Sequence, residues 1–134
     1  MVSENNTLLD ERINSIEAAY EFMLAYAAQG HEKSTGSRPA HEQEIYSYLN
    51  GMDQALTGIA EIITSQAEQE NPGRVDSYRP FIDALDSDAK TSQAAVRLLL
   101  AQRSISSQLI DNLNASIHLR ALLTDLFIFD EALG

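Results

Sequence analysis

Apolar side chains recur along most of this chain at alternating gaps of three and four residues, and this spacing restricts the folds available to it. Such gaps place one apolar residue on each turn of an α-helix, so that a run of them forms a stripe along one face. The first stripe consists of Leu9, Ile13, Ile16, Tyr20, Met23 and Ala27. The second consists of Ile45, Leu49, Met52, Leu56, Ile59 and Ile63. The third consists of Ala95, Leu99, Gln102, Ser106, Leu109 and Leu113, and the fourth of Ala115, Leu119, Leu122, Leu126, Phe129 and Leu133.

The four stripes predict four helices, at about 7–29, 40–68, 88–112 and 115–132. A short extra helix is predicted near 79–86, where apolar residues follow a stretch with two prolines, a glycine and several capping residues. Amphipathic helices bury their stripes most simply against one another, which predicts an all-α four-helix bundle. With 134 residues, the chain is long enough to form one such domain over 1–134.

The junction between the third and fourth stripes leaves two alternatives. The register change from 113 to 115 rotates the stripe by about 120°, so one straight helix cannot present both stripes to the same neighbour. Either the chain turns near Asn112 and Asn114, or residues 88–132 form a single helix. That helix would be about 67 Å long, a length that suits an intertwined dimer.

Polar residues interrupt the third stripe in the segment QRSISSQ, at 102–108. Gln102 and Ser106 fall on the stripe itself, whereas the arginine at 103 and the serines at 104 and 107 fall on the opposite, solvated side. Polar groups at core positions destabilise a fold unless they are hydrogen-bonded, and they often fix helix register or oligomeric state. We predict that role for Gln102 and Ser106; contact with a small molecule, or exposure outside the core, is the alternative.

Two glycines, Gly51 and Gly58, lie seven residues apart on one flank of the second predicted helix. They indicate close approach by another helix or a ligand, or else tolerated surface glycines. Together with Gln102 and Ser106 they form the candidate for a polar pocket.

The C-terminal segment is apolar on more than one side. Phe127 and Ile128 fall off the fourth stripe and join Ile117 and Ala121 on a second apolar face. Because surplus apolar faces usually mark an interface, the segment predicts a homodimer. The predicted interaction surface comprises Ile117, Leu119, Ala121, Leu122, Leu126, Phe127, Ile128 and Phe129.

No spacing in the chain is typical of a catalytic or metal site. Without cysteine there is no disulfide, thiolate metal site or thiol nucleophile, and no histidine follows an acidic residue by three positions as in ferritin-like bundles. The acidic pairs Glu17/Glu21 and Glu42/Glu44 are predicted to lie on solvated helix faces. The basic loop that includes His31 and His41 is predicted to be a flexible connection. We expect no cofactor and no metal, and the absence of a motif weighs against an enzyme.

The chain is acidic, with a formal net charge of −11. Residues 1–70 carry 12 acidic and 3 basic side chains, a net of −9. Such a field repels nucleic-acid backbones and anionic membranes, so neither is an expected partner. The polar, acidic start lacks the features of a secretory signal, and no apolar run reaches the roughly 18 residues of a membrane span, so the expected location is the cytoplasm.

These features favour a non-enzymatic cytoplasmic helical bundle that acts as an adaptor, assembly factor or regulator. It would work through its apolar C-terminal helix as a homodimer with an unidentified protein partner. Two alternatives stay open: a small-molecule-sensing bundle with a buried polar pocket, and an acidic inhibitor that mimics nucleic acid.

Overall fold

The computed structural model describes residues 4–32 and 39–133, and this part of the chain is helical apart from short connections. Its six helices are α1 (Glu4–Ala28), α2 (Ala40–Leu56), α3 (Ile59–Glu70), α4 (Val75–Leu100), α5 (Ser107–Asn114) and α6 (Ile117–Leu133). A single 3₁₀ turn, Pro72–Arg74, precedes α4. The predicted all-α class is therefore confirmed, although several predicted helix boundaries are wrong.

One hydrophobic cluster joins all six helices. Helix α1 packs against α2, α3 and α5, and α4 packs against α2, α3 and α6. The side chains of the first, second and fourth stripes supply half of the buried residues of this core, with Ile16, Met23, Leu49 and Leu122 each 0% exposed. The stripes are thus the contact faces from which the bundle is built.

The second predicted helix, 40–68, is two helices in the structure. The break lies at Gly58, whose φ of +70° is in the left-handed region that side chains with a Cβ disfavour. The exposed Thr57 side chain also donates from Oγ1 to the Asp53 carbonyl in the preceding turn, at 3.0 Å. Apolar spacing continues across the break, which is why periodicity alone does not show it.

Arg12 of α1 completes the end of α2. Its Nη1 donates to the carbonyl oxygens of Gln54, Ala55 and Thr57 at 3.1, 3.2 and 2.6 Å. The last carbonyls of a helix have no partner within the helix, so this guanidinium supplies the hydrogen-bond donors that a further turn would have provided.

Alanine substitutions at the two glycines are expected to act in opposite directions. Gly58→Ala should lower the free energy of unfolding by about 1–2 kcal/mol, because alanine is strained at positive φ. Gly51→Ala should raise it by about 0.5–1 kcal/mol, because Gly51 is inside α2 and an added Cβ meets no atom within 4 Å. Urea denaturation of both variants measures the difference, and equal effects would contradict the assignment of the break to Gly58.

The predicted short helix at 79–86 and the start of the predicted helix 88–112 belong to the single helix α4. Its buried residues keep the three–four spacing throughout: Ile82, Leu85, Ala89, Ser92, Val96 and Leu99. Ala89 and Ser92 are small, so the apolar signal fades where the two predicted segments meet, although the helix continues.

The predicted helix 88–112 ends early, because α4 stops at Leu100 and α5 starts at Ser107. We call residues 101–106 the crossover. Ser106 caps α5, its Oγ accepting from the Leu109 amide at 3.2 Å, and Ser116 caps α6 in the same way through the Leu119 amide at 3.4 Å. Serine favours such capping over a place inside a helix. The alternative of one continuous helix over 88–132 is therefore wrong, and a turn after Asn114 is present.

Candidate interaction surface

Helix α6 has one face inside the bundle. Leu119, Leu122, Leu126 and Phe129 are at most 3% exposed, and the helix packs mainly against α4. Their inclusion in the predicted interaction surface was wrong, because the chain buries these side chains in its own core. No partner can reach these four side chains while the bundle is folded.

The opposite face of α6 is open. Ile117, Phe127 and Ile128 are 78%, 52% and 51% exposed, and Ala121 at its edge is half-buried. Six exposed residues on this side of α6 are separated mainly by three or four positions. We call this set the exposed α6 face. The set is Ile117, Arg120, Thr124, Phe127, Ile128 and Glu131.

The exposed α6 face carries one charge of each sign. Arg120 and Glu131 are exposed near its two ends, and neither has an ion-pair partner within 4–32 or 39–133. The two charges of the face cancel on a chain whose net charge is −11, while the exposed Asp130 lies beside Glu131 outside the face. Opposite charges within the face can pair with a second protein and offset part of the repulsion between acidic surfaces.

A groove extends this apolar surface onto α1. A cavity of about 390 Å³ is lined by Glu17, Tyr20, Glu21, Leu123 and Phe127. Leu24, one turn beyond Tyr20, is 47% exposed. Glu21 is exposed, as predicted for a solvated helix face, whereas Glu17 is half-buried and Leu123 is buried.

The predicted polar pocket does not assemble. Gln102 and Ser106 line a cavity of about 390 Å³ with Leu98, Leu99 and Leu109 among their neighbours. Gly51 lines grooves elsewhere on α2, and Gly58 forms the joint between α2 and α3.

The polar groups of Gln102 and Ser106 are already engaged. Gln102 is exposed, and its Nε2 donates to the Leu98 carbonyl at 2.9 Å, while Ser106 caps α5. Gln102 was placed on the core stripe by spacing alone. Because α4 ends at Leu100, Gln102 lies beyond the helix. The end of α4 therefore explains why the third stripe becomes polar there, and no role in the core has to be assigned to Gln102.

A buried carboxylate beneath the crossover was missed by sequence reasoning. Glu42 is 0% exposed, and its Oε1 accepts from Ser104 Oγ at 2.7 Å and from the Ile105 amide at 3.2 Å. The predictions that Glu42, Ser104 and Ser107 lie on solvated faces were wrong. These three side chains are at most 8% exposed.

Two polar contacts fix the end of α1 to the crossover and to α5. Tyr26 Oη donates to the Ile105 carbonyl at 2.5 Å, and Ser107 Oγ donates to the Tyr26 carbonyl at 2.7 Å. Burial, followed by the nearby Glu42 and Tyr46, raises the pKa of Tyr26 to about 12, so its hydroxyl remains a donor at neutral pH.

The residues that follow α1 are hydrogen-bonded to Ser107 as well. The His31 amide donates to Ser107 Oγ at 2.6 Å, and the Ser107 amide donates to the His31 carbonyl at 2.8 Å. The His31 ring stacks on His41 with centroids 3.8 Å apart, and burial, followed by His41, lowers the pKa of His31. His31 is thus anchored where a flexible connection was predicted; the basic Lys33 and Arg38 of that loop lie outside the described residues.

A second pair of carboxyl groups bridges α4 and α6. The carboxyl group of Asp125 faces that of Asp88, and His118 Nδ1 lies 3.9 Å from Asp88 Oδ1. Burial, followed by the hydrogen bond and the charge of Asp88, raises the pKa of Asp125 to about 7. No group of three or more potential metal ligands occurs among the residues that the structure describes.

The Asp88–Asp125 pair makes stability depend on pH. Because the folded pKa of about 7 exceeds the ordinary 3.8, this contribution is fully present below about pH 4 and is lost as pH rises through about 7. Asp125→Asn cannot ionise, so its free energy of unfolding should fall less than that of the wild type between pH 4.5 and 8.5. Urea titrations across that range measure this, with Asp130→Asn, an exposed position on α6, as the control. Parallel curves for wild type and Asp125→Asn would contradict the prediction.

Among the described residues, no helix combines the length and the apolar character that crossing a membrane requires. Comparison of the chain with protein-family models, with curated proteins and with solved structures finds no match.

Proposed function

We propose that this chain is a non-enzymatic interaction protein, an adaptor, assembly factor or regulator, that works as a homodimer through the exposed α6 face. The observation that carries the proposal is the exposure of Ile117, Phe127 and Ile128 on one side of one helix. Single exposed apolar residues are common on protein surfaces and need no explanation. A cluster on one face, continued by the groove beside Tyr20, is typical of a surface that another protein covers.

The polar groups of the bundle favour binding over catalysis. Glu42 and Tyr26, the buried titratable groups beneath the crossover, hold hydroxyl and backbone groups of Ser104 and Ile105. An active site needs such groups to converge on a space that a substrate can occupy. Here they converge on the chain itself, which indicates a structural task.

The two alternatives have weaker support. Ligand sensing would use the cavity beside Gln102 and Ser106, yet both side chains already have hydrogen-bond partners within the chain. Mimicry of nucleic acid requires free carboxylates at regular spacing. Asp53 instead pairs with Arg97 at 2.9 Å, and Asp86 pairs with Lys90 at 2.9 Å.

The proposal is tested by the mass of the protein in solution. Light scattering over a range of concentrations should give twice the 14.8 kDa chain mass, and polar residues at Phe127 and Ile128 should return it to one chain. A wild-type protein that stays at the mass of one chain throughout that range would overturn the homodimer.

A further inference from the structure

We propose that the exposed α6 face pairs with the same face of a second copy in antiparallel orientation, around a two-fold axis between Thr124 and Phe127. This inference rests on the proposed function and specifies the partner surface and its register. It predicts that Arg120 of each copy meets Glu131 of the other.

The two charges on α6 are placed so that a two-fold axis can pair them. Arg120 and Glu131 are eleven residues apart, about 16 Å along the helix, and at about 100° per residue they differ in direction by only about 20°. Both therefore lie on one strip of the helix surface. A two-fold axis at the midpoint of that strip reverses the helix and brings each charge opposite its counterpart on the second copy.

The residues near the midpoint between the two charges are mostly apolar. Thr124, Phe127 and Ile128 lie close to the proposed axis, so the apolar side chains of the two copies meet at the centre of the contact. Arg120 and Glu131 then lie on either side of this centre. An apolar centre with charged residues at the rim is the usual arrangement of protein–protein interfaces.

Repulsion between like charges disfavours the parallel arrangement. Parallel pairing in register would place Arg120 against Arg120 and Glu131 against Glu131, two like-charge contacts at the rim. Antiparallel pairing replaces them with two opposite-charge contacts. Because each chain carries −11, these two opposite-charge contacts offset part of the repulsion between the copies.

Charge reversal tests the register. In homodimers of Arg120→Glu or of Glu131→Arg, both rim contacts join like charges, so each single variant should weaken dimerisation about tenfold or more. An equimolar mixture of the two variants should recover the wild-type affinity, because the mixed dimer pairs Glu at 120 with Arg at 131, and Arg at 120 with Glu at 131. The double variant should recover it as well. Analytical ultracentrifugation of labelled chains measures all four samples.

The controls separate this inference from the proposed function. Arg103→Glu makes the same charge change at an exposed arginine of the crossover and should leave the affinity unchanged. Arg120 and Glu131 are both exposed, so each variant should fold, and circular dichroism of each variant checks this. If polar residues at Phe127 and Ile128 abolish the dimer while the reversed charges neither weaken nor complement it, the antiparallel register is overturned and the proposed function stands. If the dimer survives polar residues at Phe127 and Ile128, the proposed function itself is overturned.

Discussion

Replacing Glu42 with alanine is expected to lower the free energy of unfolding by about 3 kcal/mol. The Glu42 carboxylate is 0% exposed and accepts hydrogen bonds from the Ser104 hydroxyl and the Ile105 amide. Alanine leaves both donors buried without that acceptor and also leaves a cavity where the side chain was. Urea denaturation followed by circular dichroism measures the loss.

Two further substitutions isolate the cause. Glu42→Gln keeps the shape and one acceptor oxygen, so its cost should be smaller than that of alanine. Glu44→Ala removes an exposed carboxylate two residues along the same helix and should change the free energy of unfolding by less than about 0.5 kcal/mol. If Glu42→Ala were as stable as Glu44→Ala, the carboxylate would have no role in holding the crossover.

Serine at both Phe127 and Ile128 is expected to convert the proposed dimer to a monomer. Each wild-type side chain is about half exposed in the single chain, so its burial in a dimer contributes about 1 kcal/mol or more. Four such side chains would meet in the proposed dimer, and their loss should raise the dissociation constant about 100-fold or more, which corresponds to about 3 kcal/mol. Light scattering at fixed concentration detects the fall in mass.

The matched control for that variant is Leu98→Ser. Leu98 is 64% exposed near the end of α4, outside the exposed α6 face, so its replacement removes exposed apolar surface elsewhere. The mass of this control should equal that of the wild type. An equal fall in mass for both variants would show that apolar surface in general, and not this face, drives association.

The fold class was predictable because the core contacts of a helical bundle repeat with the helix period. Ile16, Leu49 and Leu122 lie at positions that spacing identifies, and all three are 0% exposed. Helix boundaries were less predictable, because the spacing of apolar residues does not report backbone conformation. It runs unbroken across Gly58, and it fades at Ala89 and Ser92 although α4 continues.

The candidate site was predictable only in part. Phe127 and Ile128 fall off the fourth stripe, and this signal correctly places them outside the core. The burial of Glu42 leaves no such signal, because its partner Ser104 is 62 residues away along the chain. A glutamate near the start of an amphipathic helix looks the same in sequence whether water or a distant hydroxyl solvates it.

The hydrogen bonds around the crossover tie together segments that are far apart in the chain. The ends of α1 and α4 and the starts of α2 and α5 meet there through Tyr26, Glu42, Ser104 and Ser107. Amide protons at this corner should therefore exchange with solvent only when several segments open together, as one cooperative unit. Opening of this corner would therefore release the end of α1, the start of α2, the crossover and the start of α5 together.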